Sequence, residues 1–148
     1  MIADLDYEAH MELQAARSRL QCSGPIVEVD VEGDVFGKRS GVRAFVDTGA
    51  GHSWVAQNLA HEFFLVTNEL ATVGCIVGRT IVRRLRPFWL TVGGKRVRID
   101  RGFCAEDELL LGEAQVILGR DALSEFSLHY DGARGTFELL DSAACCGV

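Results

Sequence analysis

Short β-branched segments separated by glycines are the feature that most limits what this chain can form. They run from "IVEVDVEG" and "VRAFV" through "TVGCIVGRTIV" and "FWLTVGGKRVRI" to "LLLGEAQVILG". Strands of this length and spacing indicate an all-β barrel or sandwich. "FSLHYDGARGTFELL" predicts a closing hairpin across "DGARG". With 148 residues, 48% of them hydrophobic, the chain is long enough to bury one core.

Three segments have helical character. Residues 2–20 place apolar side chains at steps of three and four, and "CSGP" ends the pattern. This stripe consists of Ile2, Leu5, Ala9, Leu13, Ala16 and Leu20. We expect it to pack on the domain or across a dimer. "AQNLAHEFF" predicts a short helix, "GRDALSEF" predicts one or two helical turns, and "GKRSG" predicts a turn before "VRAFV".

Charge bears on the choice of partner. Fifteen basic and twenty-one acidic residues give a net charge of -6, which argues against general affinity for nucleic acid. The tract from Arg79 to Arg101 nevertheless contains eight basic residues and a single acid, Asp100. Alternation of these residues with apolar ones is usual for a solvated hairpin face. A functional alternative is that the tract steers an acidic substrate or docks an acidic partner.

The cysteine pattern favours reduced thiols. Five cysteines show no Cys-x-x-Cys spacing, and no histidine stands at a zinc-site distance, so we expect no metal and no cofactor. Reduced thiols predict a cytoplasmic protein. No secretory signal is predicted, and no apolar run in this chain approaches the length of a membrane span.

A lone acidic residue follows the strand "VRAFV" directly. In "AFVDTGAGHSWV", Asp47 lies between an apolar run and the small residues Gly49, Ala50 and Gly51. Small residues after a strand leave a carboxylate open to whatever approaches over the glycines. The ordinary alternative is an Asx turn that ends the strand. Further downstream, "AQVILGRDAL" places an apolar strand, a glycine, an arginine and an aspartate in succession.

Together these two motifs resemble the retropepsin-like aspartic proteases, meaning the retroviral proteases and their cellular and bacterial relatives. In that family an apolar-apolar-Asp-Thr-Gly-Ala turn, here residues 45–50, precedes a glycine-rich flap. An Ile-Leu-Gly-Arg-Asp segment, here residues 117–121, then leads into the core helix. The resemblance implies a mainly β fold, a single-lobe retropepsin-like acid protease barrel with one short core helix, to which this chain adds an N-terminal helix. We expect an N-terminal helical extension (1–24), the protease domain (25–140) and a C-terminal tail (141–148).

The resemblance implies an aspartic endopeptidase that needs no cofactor. Hydrolysis by a water molecule requires one carboxylate as base and another group as acid. The chain has no second Asp-Thr-Gly or Asp-Ser-Gly, so two chains must build the site as a homodimer with paired Asp47 residues. By resemblance, Asp47, Thr48 and Gly49 form the catalytic turn. Thr48 would bridge the two active loops, and Gly49 would offer its backbone to the substrate.

The expected substrate is a peptide or protein bound in an extended form under two flaps. The flap candidate contains two glycines around apolar residues, which suits a mobile hairpin, although an ordinary hairpin tip is the alternative. The predicted substrate-binding residues are Ala50, Gly74, Cys75, Ile76, Val77 and Gly78.

Arg120 and Asp121 are expected to be structural residues beneath the active loop. Retroviral relatives often carry an acid or a hydroxyl where this chain has Gly51. Arg120 therefore needs a different partner, and Asp121, a backbone carbonyl and the second subunit are the alternatives.

Two other functions stay open. One is a retropepsin-like fold kept as a dimerisation or peptide-binding module, with weak turnover or none. The other is nucleic-acid binding through the basic tract, which the net charge opposes, so we expect no nucleic-acid partner.

Overall fold

Strands dominate the fold. A computed structural model describes residues 2–35, 37–75, 78–106 and 113–142, and these residues form three helices and eleven strands. The helices are α1 (Ile2–Ser23), α2 (Gln57–Glu62) and α3 (Arg120–Leu123). The strands are β1 (Ile26–Gly33), β2 (Lys38–Val46), β3 (Trp54–Ala56), β4 (Val66–Cys75), β5 (Gly78–Leu85), β6 (Phe88–Val92), β7 (Lys95–Ile99), β8 (Phe103–Ala105), β9 (Val116–Leu118), β10 (Phe126–Asp131) and β11 (Thr136–Asp141). The predicted mainly β fold is confirmed.

Nine strands form one sheet in the order β4-β5-β8-β3-β9-β2-β1-β6-β7, and β10 pairs with β11 in a separate two-stranded sheet. Hairpin neighbours such as β6 and β7 are antiparallel, as their glycine turns predict. Two pairs are parallel, β2 with β9 and β3 with β8. These pairs join strands far apart in the sequence, so they bring the two halves of the chain together in one sheet.

The core lies on the face of the sheet that carries the alternating apolar side chains. In β6, Phe88, Leu90 and Val92 are buried, whereas the residues between them are half-buried. β7 follows the same rule with Val97 and Ile99. Helix α2 closes this face with Leu59 and Ala60. Full burial of a side chain such as Phe88 or Leu90 contributes about 1.5–3 kcal/mol to stability.

One predicted turn is wrong. "GKRSG" was expected to reverse the chain, but Lys38–Val46 is a single strand, and the chain bends earlier, at Asp34 and Val35. The physical reason is an irregularity in the pairing of β1 with β2 between Val29 and Val31. Gly41 adopts a φ of 71° there, so the strand continues through a glycine that sequence reading assigns to a turn.

Some predictions fall outside the described residues. The first part of "LLLGEAQVILG" is among them, because residues 107–112 are not described. The C-terminal tail is another, since residues 143–148 are not described either.

Helix α1 packs on the molecule through its C-terminal part. Leu20 is buried and Ala16 is half-buried, whereas Ala9 and Leu13 of the predicted stripe are exposed. The backbone of Ala16 lies against Gly135, in the turn between β10 and β11. None of the described helices is long and apolar enough to span a membrane.

The β10–β11 hairpin is in turn fixed to the edge strand β7. Lys95 Nζ lies 2.8 Å from Asp141 Oδ1, and this carboxylate raises the pKa of Lys95 above its usual 10.5. The same ammonium group lies 5.7 Å from the ring centroid of Phe126. Helix, hairpin and main sheet are therefore connected in series.

We predict that Gly135→Ala loosens α1. Gly135 has a φ of 67°, and a Cβ there would lie 2.3 Å from the backbone of Ala16 and Arg17. The left-handed conformation alone costs an alanine about 1–2 kcal/mol, and the contact with α1 adds to that cost. Chemical denaturation should show a lower free energy of unfolding, and hydrogen exchange should become faster in α1.

Gly93→Ala is the matched control. Gly93 also lies in a hairpin turn and has a φ of 56°, but a Cβ there meets nothing within 4 Å. Equal losses for the two variants, with unchanged exchange in α1, would mean that the helix does not depend on this contact.

Candidate active site

The parallel pairing of β2 with β9 positions the two sequence motifs. Val46 lies opposite Leu118, so Asp47 and Gly119 leave the sheet side by side at the ends of their strands. The Asp47 N–H donates to the Leu118 carbonyl at 3.0 Å, which continues the pairing one residue beyond β2. The structure therefore brings together Asp47 and the Gly-Arg-Asp segment.

The Asp47 carboxylate is half-buried and is oriented by its own turn. Its Oδ1 accepts a hydrogen bond from the Gly49 N–H at 2.9 Å. Among the residues that the structure describes, no donor reaches Oδ2. Thr48 and Gly49 are exposed. The turn thus fixes one carboxylate oxygen and presents the other to its surroundings.

Gly119 allows the two segments to touch. A Cβ at this position would lie 2.5 Å from the carbonyl group of His52 and 3.0 Å from the Ala50 oxygen. The next N–H along the chain, that of Arg120, donates to the Ala50 carbonyl at 2.8 Å. Only glycine leaves room for this approach, because both neighbours are backbone atoms.

The side chain of Arg120 supports the turn from below. Its Nη1 donates to the Thr48 carbonyl at 2.9 Å. Of the three partners considered for Arg120, this is the backbone carbonyl. Gly51 lies beside the guanidinium, and a Cβ there would be 3.5 Å from Nη2. Because Gly51 has no side chain to accept a hydrogen bond, Arg120 binds the turn through the Thr48 carbonyl instead.

A buried serine links the turn to α3, and sequence reasoning missed it. Ser53 is completely buried. Its Oγ donates to Asp121 Oδ1 at 2.6 Å and accepts from the Gly119 N–H at 3.1 Å. The Ser53 N–H also donates to Asp121 Oδ2 at 2.9 Å. Asp121 thus joins both segments, but a serine before a strand gives no sequence signal of such a role.

A row of apolar side chains flanks the turn on one face of the sheet. Phe45 lies opposite Ile117, Ile117 lies opposite Trp54, and Trp54 lies opposite Phe103. The first three are half-buried. Phe45 stands two residues before Asp47, which places the row beside the carboxylate. The sequence analysis placed Ala50, Ile76 and Val77 among the predicted substrate-binding residues. It did not identify the four residues of this apolar row.

The flap candidate is the hairpin formed by β4 and β5. Cys75 pairs with Gly78 at its described end, and Gly78 has a φ of 135°. A Cβ on Gly74 would meet nothing within 4 Å, so the strand is open around that residue. Ile76 and Val77 lie outside the described residues.

Metal ligands are not grouped in the described part of the chain. No cluster of three or more His, Cys, Asp or Glu residues there could hold a metal ion.

Comparison with known proteins gives the family. The sequence model described as "Retroviral aspartyl protease" matches residues 21–130, which is more than half of the chain. The chain therefore belongs to the retroviral aspartyl protease family. Among solved structures, EIAV protease complexed with the inhibitor HBY-793 is similar, with 18% identity and a TM-score of 0.49 over 68% of this chain and 85% of that chain. The search of curated proteins gave no match.

We predict that Ser53→Ala destabilises the fold. The substitution leaves the buried Gly119 N–H without its acceptor and removes a donor from Asp121. An unsatisfied buried polar group costs about 1–3 kcal/mol, so the free energy of unfolding should fall by that amount in urea denaturation.

Ser124→Ala is the control, because the Ser124 hydroxyl donates to the backbone oxygen of Asp121 at 3.3 Å from an exposed position. It should change the free energy by less than about 0.5 kcal/mol. Similar losses for both variants would contradict the importance of burial at Ser53.

Proposed function

We propose that this protein is a cytoplasmic aspartic endopeptidase that hydrolyses peptide bonds as a homodimer. The observation that carries the proposal is the position of Asp47. It is a half-buried carboxylate with one oxygen held by Gly49, at the end of a strand, within the segment that the family model matches. Its turn is exposed, and Arg120 supports it from within.

The chemistry follows from two such carboxylates. One Asp47 accepts a proton from water as the water oxygen attacks the peptide carbonyl carbon. The other, protonated Asp47 donates its proton to the carbonyl oxygen. Collapse of the tetrahedral intermediate then breaks the carbon–nitrogen bond while the nitrogen gains a proton. The pathway has no covalent enzyme intermediate, and it uses no metal or cofactor.

The second carboxylate comes from a second chain. Because the sequence contains a single Asp-Thr-Gly, a two-fold axis through the exposed turns is the route to a pair of Asp47 residues. Thr48 and Gly49 lie at this surface and complete the catalytic turn. Thr48 bridges the two loops, and Gly49 binds the substrate backbone.

Substrate binds as an extended peptide between the turns and two flaps. The half-buried residues beside Asp47, which are Phe45, Trp54 and Ile117, supply an apolar wall. The β4–β5 hairpin supplies the flap, with Gly74, Cys75 and Gly78 at its described end. Ile76 and Val77 stay predicted substrate-binding residues. We expect this wall and Ala50 to favour apolar substrate side chains.

The subunit interface extends over α1 and the β10–β11 hairpin. Tyr7 and Met11, one turn apart on α1, are 65% and 51% exposed and so form an exposed apolar patch. Leu128 and Tyr130 of β10 are also exposed, and both lie on the apolar face of the hairpin, opposite Leu139 and Phe137. Burial of this surface by a second copy accounts for the long N-terminal helix.

We predict that Asp47→Asn abolishes cleavage and preserves the fold. An amide cannot act as the base, and its size leaves the hydrogen bond from Gly49 possible. Wild type and variant should be incubated with a diverse peptide library from about pH 4 to pH 8, a range that spans carboxylate dyads. New amino termini should form only with the wild type.

Asp100→Asn is the control, since Asp100 is an exposed carboxylate paired with Arg98. It should cleave as the wild type does. Cleavage by Asp47→Asn would refute the mechanism. Peptide binding without new amino termini in either protein would instead favour the non-hydrolytic binding module.

Mixing tests the shared site. We predict that a roughly tenfold excess of Asp47→Asn lowers the activity of a fixed amount of wild type about tenfold, because random pairing leaves few wild-type homodimers. The measurement requires concentrations at which sedimentation shows the wild type to be dimeric.

An inactive chain that starts at Ser23 tests α1 in the same assay. This Asp47→Asn chain should inhibit less than the full-length Asp47→Asn chain if the helix contributes to pairing. Activity proportional to wild type alone, unaffected by either inactive chain, would contradict a site built by two subunits.

A further inference from the structure

Half of the basic tract is neutralised within the chain. Ion pairs join Arg84 to Glu69, Lys95 to Asp141, Arg96 to Glu32 and Arg98 to Asp100. The other four residues make no ion pair with any described residue, and they are Arg79, Arg83, Arg86 and Arg101. All four are exposed. Two of these, Arg83 and Arg86, line surface grooves next to α2.

Two grooves meet at Arg83. One, of about 280 Å³, lies between α2 and the stem of the β4–β5 hairpin and is lined by Leu70, Ile81 and Arg83. The other, of about 520 Å³, is lined by Val35, Phe64, Arg83 and Arg86. His61 and Val66 also line both grooves. We call the two together the α2 groove.

The α2 groove contains four of the most exposed large apolar side chains in the described residues. Val35 is 81% exposed, Ile81 67%, Phe64 63% and Leu70 62%. They lie on both sides of Arg83, because Leu70 and Ile81 line one groove and Val35 and Phe64 the other. Apolar residues grouped around an arginine that makes no ion pair with any described residue are typical of a protein-binding surface.

The backbone at Phe64 supports a role for its exposed ring. Phe64 has a φ of 54°, and it is the one non-glycine residue with positive φ in the described chain. It follows α2 at the position where glycine usually ends a helix, and the Leu65 N–H donates to the Ala60 carbonyl at 2.9 Å. Phenylalanine in this conformation is strained relative to glycine, and strained residues are common where a protein binds a partner.

Three groove residues, Leu70, Ile81 and Arg83, face the opposite side of the sheet from the apolar row beside Asp47. Arg84 lies opposite Phe103, so it shares the face of the apolar row beside Asp47. Arg83 and Ile81 alternate with Arg84 along β5 and therefore point to the other face. Leu70 lies opposite Arg83 and shares that face. The groove is thus separate from the proposed substrate cleft, although it borders the stem of the flap hairpin.

We propose that the α2 groove binds a peptide segment of a partner protein, in which one carboxylate side chain is flanked on both sides by apolar residues. Arg83, at the junction of the two grooves, pairs with the carboxylate, a contact for which a guanidinium is well suited. The apolar residues contact Phe64 on one side and Leu70 and Ile81 on the other. The groove also contains two acids, Glu106 in the first part and Asp34 in the second, and Asp34 accepts a hydrogen bond from Trp89 Nε1 at 3.3 Å. Neither forms an ion pair with Arg83, so the Arg83 guanidinium is available to a partner's carboxylate.

The test is a charge exchange followed by fluorescence anisotropy. The probe is a fluorescein-labelled nonapeptide with a central glutamate between leucine and phenylalanine residues, and the matched peptide has lysine at its centre. Both are added to the Asp47→Asn protein, so that cleavage does not disturb the measurement. We expect the glutamate peptide to bind about tenfold more tightly, and Arg83→Glu to reverse that preference.

Arg101→Glu is the matched control, because Arg101 is another exposed arginine of the same tract that makes no ion pair with any described residue, but it lines neither part of the groove. It should leave the preference unchanged. Phe64→Gly should raise the melting temperature, because glycine accepts the positive φ, and should weaken binding of the glutamate peptide several-fold.

Three results would overturn the proposal. The first is that neither peptide binds, and the second is that the preference for the glutamate peptide is insensitive to Arg83→Glu. The third is that Arg83→Glu changes the oligomeric state in sedimentation, which would make the groove a contact between copies of this chain. Binding that Arg83→Glu does not alter would place the peptide in the substrate cleft. Because cleavage is not measured, the outcome is independent of whether the protein is a protease.

Discussion

The parallel pairing of β2 with β9 is the constraint on which the rest of the site depends. Two parallel strands cannot be connected by a tight turn, and here the connection between β2 and β9 contains all the elements from β3 to β8. The pair also makes both strands end at the same edge. Asp47 and Gly119 emerge there as neighbours, and the Leu118 carbonyl accepts from the Asp47 N–H. The turn and α3 then hold one another through backbone groups.

Several contacts hold the turn, whereas the Asp47 side chain is held at a single atom. Arg120 binds the Thr48 carbonyl, and Asp121 with Ser53 fixes the far end of the loop. The Asp47 carboxylate has one described partner, the Gly49 N–H. This division suits a site in which the position of a carboxylate must be fixed while one of its oxygens stays available.

The sequence predicted most of what is local. The alternation of β1, the hairpin of β6 and β7 around Gly93 and Gly94, and the helix after Gly119 could all be read from residue patterns. The pairing of Asp47 with the Gly-Arg-Asp segment came from the family resemblance.

What could not be predicted depends on contacts between distant residues. Ser53 becomes significant only when β3 is placed beside Asp121, and Gly41 continues a strand only because β2 carries an extra residue opposite β1. The row from Phe45 to Phe103 likewise requires strand order, which alternation within one strand does not give.

The two tryptophans give the molecule a pair of built-in optical reporters. Trp54 is half-buried in the row beside Asp47, with its ring centroid 5.3 Å from that of Phe103. The Arg96 guanidinium lies over Trp89, with its Cζ 3.9 Å from the centroid of the Trp89 ring. Trp89 Nε1 donates to Asp34 at the margin of the α2 groove. Indole emission responds to the polarity around the ring, so a molecule that displaces water from around one ring should alter one emission spectrum and leave the other unchanged. Replacing either tryptophan by phenylalanine would therefore yield a protein whose intrinsic fluorescence reports on the surroundings of the remaining tryptophan.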